Sequence, residues 1–345
     1  MKREFKAISL FSGAGGMDLG FRKAGFKIVW ANDFNDAACD TYCANVGKEI
    51  HRGSLMDYDY ACLPSCDLVF GGPPCQGFSV AGKMDPDDPR SRLVFEFQKV
   101  VAAKRPLFFV MENVAALARL ARFAAVRTRL LSEYKKMGYE VQFKILDSQF
   151  YGTPQRRERM IMIGTRDVER KIAFPTRCRR LITAREVLSS LDEAGTGNNL
   201  GVCEAKITVA KRPVLRSSPY AGMLFNGLGR PIDLDRPCQT LPASMGGNKT
   251  PFIDTERLRH PEAADWLETL HRHALDGEDI TKYAVPPTFR RITVSEAAAL
   301  QGFPPGFTFC GSRCEQYRQI GNSVPPPFAY HIAKSVAKSM SQAIR

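Results

Sequence analysis

The sequence predicts an α/β fold in which a doubly wound, mostly parallel sheet is joined to a second, smaller and loop-rich domain. Short apolar runs alternate with helical patterns over the first half of the chain, which is typical of a parallel sheet with helices on both faces. Residues suited to chemistry follow several of these runs, at the strand ends where such sheets bind ligands. From about residue 192 the periodicity weakens and Gly, Pro, Arg and Asn become frequent, which indicates a change of domain.

The elements follow from the spacing of apolar residues along the chain. Strands are predicted at 5–11, 26–31, 67–70, 107–111, 139–146 and 160–164, and helices at 17–24, 36–45, 93–103, 116–137, 294–300 and 328–340. One further short helix, at 266–275, is predicted inside the second domain. We therefore assign residues 1–191 and 291–345 to the main domain and residues 192–290 to the second domain.

The chain is basic. It carries 49 Lys and Arg residues against 36 Asp and Glu residues, which gives a formal net charge of +13. An excess of this size favours a polyanionic partner, and nucleic acid is the first candidate. A basic protein without such a partner is the alternative that charge alone leaves open. The 345 residues, 44% of them hydrophobic, are enough for one large domain and a smaller one with a substantial core.

The N-terminus and the cysteines indicate a cytoplasmic protein without a metal site. Ser9, Ser12 and Gly13 interrupt the first apolar run too early for a signal peptide, and no apolar stretch of about 18 residues predicts a membrane-spanning helix. We therefore expect reduced thiols. The ten cysteines include three CxxxC pairs, a spacing that differs from zinc signatures, and the five histidines do not complete one.

Two strand ends together fit an adenosyl cofactor. The glycine-rich turn Phe11–Gly16 follows the first strand, and its glycines let a ligand approach the backbone N–H groups. After the second strand come Asp33, an acid placed to bind ribose hydroxyls, and Phe34, a ring that suits an adenine face. A plain strand-to-helix turn is the alternative interpretation of the first segment taken alone.

Three further segments carry reactive groups. Cys75 lies in a proline-preceded loop, which is consistent with a presented nucleophile; a buried structural thiol is the alternative. Glu112 ends an apolar strand, where burial favours the proton-donating form of a carboxyl group; a helix cap is the alternative. Arg157 and Arg159 would share one face of a strand, with Glu158 opposite, and suit a carbonyl or a phosphate; a solvated charged edge is the alternative.

Taken together, these groups describe one reaction. A thiolate adds to C6 of a cytosine, an acid at N3 stabilises the enamine, and an arginine holds O2. C5 then accepts a methyl group from a sulfonium donor, H5 is removed, and the thiol leaves by β-elimination. Because C6 is shielded inside stacked bases, the base must be flipped out or single-stranded. Basic phosphate-binding residues and a second domain that holds the duplex would meet that need.

The ordered motifs resemble those of the bacterial cytosine-C5 DNA methyltransferases over nearly the full length of the chain. The matching segments are Phe11–Gly16, Asn32–Phe34, Gly72–Ser79, Asp88–Leu93, Glu112–Val114, Gln155–Arg159, Gln301–Pro304 and Gly321–Pro325. The resemblance implies a Rossmann-like class I methyltransferase fold, S-adenosylmethionine as methyl donor, S-adenosylhomocysteine as product and double-stranded DNA as substrate. It also makes the main domain catalytic and cofactor-binding, and it makes residues 192–290 the target-recognition domain.

The resemblance also implies roles for individual side chains. Cys75 would be the covalent nucleophile, Glu112 the activating acid and Arg157 the residue that binds the cytosine O2, with Arg159 in the same catalytic motif. The cofactor would be bound by Phe11, Gly13, Gly16, Asp33, Phe34, Ser54, Leu55, Pro73, Leu93, Asn322 and Val324. DNA contacts would come from Gln76, Ser79, Arg90, Arg230, Asn248 and Lys249, and no metal is expected.

Two positions depart from the family pattern. Ser54 stands where the family usually has an Asp that binds the adenine amino group, and Asp57 is a nearby substitute. This loss of a charge concerns cofactor affinity more than the chemistry. Asp33 replaces the usual Glu and has a shorter reach for the same role.

Two alternatives remain at this stage. A related branch methylates tRNA at the same carbon, but its Cys-Phe-Thr motif is absent from this sequence. A catalytically silent DNA-binding protein on the same scaffold would be expected to lack Cys75 or Glu112, and both are present. We further expect a monomer in the cytoplasm, associated with the nucleoid through DNA. A cognate restriction endonuclease would act separately if the enzyme belongs to a restriction–modification system. The sequence leaves open the target site and whether the enzyme is paired, solitary or phage-borne.

Overall fold

The computed structural model describes residues 4–74, 93–167 and 169–342. The chain divides into two compact units, each discontinuous in sequence. The first unit comprises Met1–Tyr151, Arg157–Cys178 and Ser323–Arg345, and the second comprises Gly152–Arg156 and Arg179–Asn322. This division differs from the sequence-based boundaries, because residues 152–156, 179–191 and 291–322 belong to the second unit.

Strands and helices alternate along the first unit and become shorter in the second. The strands are β1 (Phe5–Leu10), β2 (Phe26–Asp33), β3 (Ile50–Arg52), β4 (Leu68–Gly71), β5 (Phe108–Val114), β6 (Glu140–Asp147), β7 (Glu158–Thr165), β8 (Val209–Val214), β9 (Met223–Phe225), β10 (Phe252–Asp254) and β11 (Phe289–Arg291). The helices are α1 (Gly16–Lys23), α2 (Asp36–Asn45), α3 (Leu93–Lys104), α4 (Ala115–Arg119), α5 (Ala124–Lys136), α6 (Ala184–Leu188), α7 (Thr255–Arg259), α8 (Trp266–Leu275), α9 (Val294–Gln301), α10 (Arg313–Asn322) and α11 (Pro326–Met340). Within the described ranges, no helix is both long and apolar enough to cross a membrane.

The first unit is built on one sheet with the strand order β3-β2-β1-β4-β5-β7-β6. The strands β3, β2, β1, β4 and β5 run parallel to one another. The strand β7 pairs antiparallel with both β5 and β6. The mostly parallel, doubly wound sheet predicted from the sequence is therefore confirmed.

Alternating residues of the strands face two separate cores. In β5, Phe108 and Val110 belong to one buried cluster, and Phe109 and Met111 belong to the other. The helices α1, α2 and α11 pack on the first face of the sheet, and α3 and α5 pack on the second. Because both faces are covered, such strands are apolar at consecutive positions, which is why most of them were recognisable in the sequence.

The helices α1 and α11 approach each other closely at Gly20. A Cβ atom added there would lie 2.5 Å from both the Cβ of Ala329 and the backbone nitrogen of Tyr330. A distance this short leaves no room for any side chain larger than hydrogen. Gly20 therefore sets the spacing between α1, which follows the glycine turn, and the C-terminal helix.

The prediction of one helix over residues 116–137 is wrong, because the chain breaks into α4, a short 3-10 turn and α5. Leu120, at the break, is extended, with φ −81° and ψ 133°. Leu117 and Phe123 are both fully buried. In a continuous helix, residues six apart point about 120° away from each other, so the break lets both enter the core. Arg127 donates to the carbonyl oxygens of Leu117 and Leu120 at 2.8 Å, which satisfies acceptors that the break releases.

The second unit contains short regular elements among its loops. The pairs β8/β9 and β10/β11 form two-stranded antiparallel sheets. The helix predicted at 266–275 is confirmed as α8. The helix α9 belongs to this unit because Glu296, one turn from its start, accepts hydrogen bonds from Asn199 Nδ2 at 3.1 Å and from Arg290 at 2.8 Å. Sequence patterns missed β3, β8–β11, α6, α7 and α10, since short or polar segments show little periodicity.

Candidate active site

The candidate site residues of the first unit gather at one edge of its sheet. The strands β2, β1, β4 and β5 are neighbours in that order and run parallel, so their carboxyl ends lie side by side. Phe11 follows β1 and Asp33 ends β2. Pro73 follows β4, and Glu112 lies two residues before the end of β5. The sheet therefore brings together four strand ends that are far apart in the sequence.

The turn after β1 has an unusual backbone that Asp33 holds in place. Phe11, Gly13 and Gly15 have φ values of 55°, 54° and 84°, in the left-handed region that favours glycine. The Asp33 carboxylate accepts hydrogen bonds from the backbone N–H of Gly13 at 2.8 Å and of Asn35 at 2.9 Å. Burial raises the pKa of Asp33, and these two backbone hydrogen bonds act in the opposite direction. Each carboxylate oxygen keeps a second lone pair for another hydroxyl donor.

The same edge offers open space and an exposed aromatic ring. A Cβ atom built on Gly13 would meet no heavy atom of the described residues within 4 Å. Phe34, directly after Asp33, is 68% exposed although phenylalanine is usually buried. A turn with accessible backbone, a carboxylate and an exposed ring fit the adenosyl part of a nucleoside cofactor.

Ser54 and Leu55 stand at the end of the neighbouring strand β3. The hydroxyl of Ser54 accepts a hydrogen bond from Met56 N at 3.2 Å and caps the 3-10 turn Leu55–Asp57. The Leu55 side chain is buried. The backbone N–H of Gly53 donates to the Asp33 carbonyl oxygen at 3.1 Å, which ties this turn to β2. The Ser54 hydroxyl thus has a structural task, and its own proton remains for an acceptor.

Glu112 forms an ion pair inside the site. Its Oε1 lies 2.8 Å from Arg159 Nε, and the two side chains are only 11% and 14% exposed. Its Oε2 would lie 2.9 Å from a Cβ atom on Gly72, so a larger residue at that position would displace the Glu112 carboxylate. The next residue, Asn113, donates from Nδ2 to the carbonyl oxygen of Pro73 at 3.2 Å. The end of β5 therefore anchors the Gly72–Pro74 segment that directly precedes Cys75.

The two arginines of the segment before and within β7 have different surroundings. In the antiparallel register of β5 and β7, Arg159 lies opposite Val114, which places its guanidinium at Glu112. Arg157 is 3% exposed, and its backbone N–H donates to Asp147 Oδ1 at 2.9 Å. The family resemblance had assigned the base carbonyl to Arg157. The strand register makes Arg159 the arginine that contacts the acid, a contact that sequence spacing could not reveal, and the role of Arg157 stays a prediction.

Glu158 is the first residue of β7, so Arg157 precedes the strand and only Arg159 lies on it. Glu158 forms an ion pair with Arg119 in which the side chains are 46% and 52% exposed. The solvated charged edge considered from the sequence therefore exists, but it is formed by Glu158 and Arg119 and not by Arg159. This exposed pair is a natural control for the buried one.

Several other candidate residues are placed by the structure in different ways. Gly16 is buried at the start of α1, and Leu93 is half-buried at the start of α3. Val324 is 7% exposed and packs in the apolar core beside the sheet of the first unit. Asn322 is exposed and ends α10 in the second unit. Cys75, Gln76, Ser79 and Arg90 lie outside the described residues.

In the second unit, the candidate DNA-contacting residues lie on two adjoining loops. Arg230, Asn248 and Lys249 are all exposed. The backbone N–H of Gly229 donates to the Asn248 carbonyl oxygen at 3.1 Å, which joins the two loops. Leu228, which the sequence analysis did not single out, is 59% exposed and has a φ of 67°. The signal available in the sequence was a leucine between two glycines, Gly227 and Gly229.

A buried arginine, Arg291, packs against these loops and donates hydrogen bonds to nearby backbone carbonyl groups. Arg291 is 1% exposed, and its guanidinium donates to the carbonyl oxygens of Thr250 at 2.5 Å and of Ala205 at 3.2 Å. A Cβ atom on Gly229 would lie 2.3 Å from Arg291 Nη1. Desolvation lowers the pKa of Arg291. The strained backbone at Leu228 is therefore next to tightly packed residues, Gly229 and Arg291, and such strain persists only where the surroundings fix the conformation.

In the parts of the chain that the structure describes, no group of three or more His, Cys, Asp or Glu side chains is arranged to hold a metal ion.

Comparison of the sequence and the fold with known proteins finds DNA methyltransferases. The sequence profile for C-5 cytosine-specific DNA methylases matches residues 5–338. The Type II methyltransferase M.MthTI of Methanothermobacter thermautotrophicus is 32% identical over 344 residues, which cover 96% of this chain and 97% of that protein. M.NgoFVII of Neisseria gonorrhoeae, also a Type II methyltransferase, is 32% identical over 344 residues, with coverage of 96% and 86%. The solved structure of the Entamoeba histolytica methyltransferase EhMeth has a similar fold, with a TM-score of 0.70, 17% identity and coverage of 99% and 100%.

Proposed function

The chain belongs to the C-5 cytosine-specific DNA methylase family and is a DNA cytosine-5 methyltransferase, and we propose that it acts through a covalent adduct of Cys75 with a flipped-out cytosine. The proposed methyl donor is S-adenosylmethionine, and the proposed substrate is a specific cytosine in double-stranded DNA. The observation that carries this proposal is the buried Glu112–Arg159 pair beside the anchored segment that leads into Cys75.

The donor would be held by the edge formed by β1, β2 and β3. Backbone N–H groups of the turn, the remaining lone pairs of Asp33 and the exposed ring of Phe34 are the groups available to it. Leu55 and Val324 would contribute apolar surface, and Pro73 would bring the nucleophile segment next to this edge. When bound, S-adenosylmethionine supplies an electrophilic methyl group on a sulfonium centre. Serine at position 54 offers a hydrogen bond where a carboxylate would offer a charge.

The chemical roles follow from the pairing of Glu112 and Arg159. The Cys75 thiolate adds to C6, and the carboxyl group of Glu112 stabilises the charge that develops at N3. Arg159 orients Glu112 by its ion pair, and we assign to it the contact with the base O2, a role that the family resemblance gives to Arg157. After C5 has received the methyl group, a base removes H5 and the Cys75–C6 bond breaks. The thiolate is thereby regenerated.

The second unit would hold the DNA around the displaced base. Arg230 and Lys249 are exposed cations suited to phosphates or guanine edges, and Asn248 is an exposed amide suited to adenine. Leu228, raised on the same two loops, offers an apolar contact to the bases. Gln76, Ser79 and Arg90, near the nucleophile in the sequence, are proposed to contact the DNA close to the target cytosine. A restriction endonuclease that cuts the same sequence would be the separately acting partner.

Expression in a host without cytosine methylation, followed by bisulfite sequencing of the genomic DNA, tests the proposal directly. We expect protected cytosines at one recurring sequence, and none in cells that express Cys75→Ser. In vitro, methyl incorporation from labelled S-adenosylmethionine is compared between duplex DNA and tRNA. Labelling of tRNA alone, or methylation by Cys75→Ser, would contradict the proposal.

A further inference from the structure

A buried hydrogen-bonded group lies beneath the glycine turn of residues 11–16. Asp18, in the first turn of α1, has no exposed surface. Its Oδ1 accepts a hydrogen bond from Tyr42 Oη at 3.0 Å, and the hydroxyl of Ser9 is a second hydrogen-bond partner of the carboxyl group. Among the described residues, no hydrogen-bond partner is found for Oδ2. A fully buried carboxyl group with an unsatisfied oxygen is costly, and it calls for an explanation.

The hydroxyl of Tyr42 contacts two carboxyl groups but carries only one proton, so a second proton can be shared within this cluster. Its Oη lies 3.0 Å from Asp18 Oδ1 and 3.0 Å from Glu49 Oε1. A phenol has one proton and can donate to only one of these oxygens at a time. Glu49 is also ion-paired with Arg22, so the second proton is placed most readily on Asp18. Burial raises the pKa of Asp18 to about 7, and the hydrogen bonds from Ser9 and Tyr42 act in the opposite direction.

Both hydrogen-bond partners of Asp18 touch the glycine turn. Ser9 Oγ lies 2.8 Å from Ser12 Oγ, and Ser12 is part of the turn. A Cβ atom on Gly15 would lie 3.0 Å from the ring of Tyr42, so this ring packs directly under the turn. An ionised Asp18 can only accept hydrogen bonds, whereas a protonated Asp18 can also donate one, and Tyr42 Oη lies 3.0 Å from its Oδ1. The protonation state of Asp18 is therefore coupled to the turn through Ser9, which contacts Ser12, and through Tyr42, which packs against Gly15.

The charged groups around Asp18 come from a small number of elements. Tyr42 lies on α2, Glu49 lies just before β3, and Arg22 lies one turn further along α1. The helix α11 presents Ala329 to α1 at the neighbouring Gly20 position, which is an apolar contact. Among these groups, Glu49 is the one whose negative charge opposes the ionisation of Asp18.

We propose that Asp18 is a positioning residue of the methyl-donor turn, that it releases a proton to solvent when the donor binds, and that it regains a proton once methyl transfer has converted the donor into the neutral product. This inference rests on the proposed function, because it requires S-adenosylmethionine to occupy the turn. The donor carries a positive sulfonium charge, whereas the product carries a neutral thioether. In a low-dielectric core, a carboxylate beneath the turn stabilises the cationic ligand more than the neutral one. Ionised Asp18 thus favours the donor over the product.

Titration calorimetry at pH 7 tests the inference, with S-adenosylmethionine and S-adenosylhomocysteine each measured in two buffers of different ionisation enthalpy. We expect the donor to release about half a proton, since a group with a pKa near 7 is about half protonated there, and the product to release clearly less. The affinity for the donor should rise about tenfold between pH 6 and pH 8, because the ionised fraction of a group with a pKa near 7 rises by that factor. The neutral isostere Asp18→Asn should abolish the proton release and flatten the pH dependence. The exposed control Asp276→Asn should change neither.

Equal proton release by donor and product, or unchanged release in Asp18→Asn, would overturn the inference. Both results differ from a failure of the proposed function, in which S-adenosylmethionine does not bind at any pH. The comparison of donor with product in the wild-type protein needs no variant and therefore stands even if Asp18→Asn does not fold. As a second variant, Tyr42→Phe removes the hydroxyl shared by Asp18 and Glu49, and it should alter the number of protons released at pH 7.

Discussion

Replacement of Arg159 by glutamine isolates the interaction on which the proposed mechanism depends. The wild-type ion pair joins Arg159 Nε and Glu112 Oε1 at 2.8 Å, with side chains that are 14% and 11% exposed. In Arg159→Gln, the nearly buried carboxylate of Glu112 loses its cationic partner. Breaking a buried pair in this way costs about 3–5 kcal/mol. Because both side chains keep some contact with solvent, we expect the lower end of that range, about 3 kcal/mol.

Urea unfolding and steady-state methyl transfer measure the two consequences. The matched control is Arg119→Gln, which breaks the ion pair with Glu158, where the side chains are 52% and 46% exposed. An exposed pair contributes at most about 1 kcal/mol, so this control should unfold almost as the wild type does. We expect the turnover number to fall about 10²–10³-fold in Arg159→Gln, the size typical for loss of one electrostatic contact to the transition state, and to stay unchanged in the control.

A double variant separates stability from catalysis. Glu112→Gln combined with Arg159→Gln removes both charges, so it should recover most of the lost free energy of unfolding while turnover stays low. Wild-type stability and turnover in Arg159→Gln would refute the reasoning. A loss of turnover in Arg157→Gln alone would show that the base carbonyl is held by Arg157, as the family resemblance implied.

Three further predictions test other parts of the structure. Gly20→Ala should lower the free energy of unfolding by about 2–3 kcal/mol, because the added Cβ would lie 2.5 Å from atoms of α11. The control Gly247→Ala, whose Cβ meets no atom within 4 Å, should leave thermal and urea unfolding unchanged. The pKa of Asp18 is raised to about 7 in the folded protein, so the wild type loses stability as the pH rises from about 4 to about 7. Asp18→Asn should therefore be more stable than the wild type at pH 8, by up to about 4 kcal/mol in urea unfolding, and should keep less than half of that advantage at pH 5. Leu228→Gly relieves a φ of 67°, so it should leave the free energy of unfolding unchanged or raise it by about 1 kcal/mol. The Kd for duplex DNA, measured by fluorescence titration, should rise about tenfold. An unchanged Kd would exclude Leu228 from the interface.

Much of the fold of the first unit could be predicted because its strands are buried on both faces. Runs such as Leu107–Met111 are apolar at every position, and the helices between them have one apolar face. The break at Leu120 could not be predicted, since the segment contains neither glycine nor proline. It exists because Leu117 and Phe123 both pack into the same core. The short elements of the second unit were missed for a related reason, because they are held by contacts such as those of Glu296 and not by local periodicity.

The candidate site was predictable as a set of residues, but not as a set of contacts. Glu112 and the glycine turn follow apolar runs, and a parallel sheet necessarily brings such positions to one edge. Which arginine meets Glu112 depends on the register of an antiparallel strand pair, and that pair joins segments about 45 residues apart in the sequence. The buried position of Asp18 depends on Tyr42 and Ser9, which lie on different elements.

The class of fold, the family and the order of the reactive segments follow from the amino-acid sequence alone, because these depend on local patterns of apolar, glycine and charged residues. The three-dimensional packing was needed to show that Arg159 is the partner of Glu112, that Leu228 is exposed while the guanidinium of Arg291 is buried, and that Asp18 is buried beneath the donor turn. Each of these depends on which distant segments pack together. Packing, through burial and the loss of water, changes what a charged or apolar side chain can do.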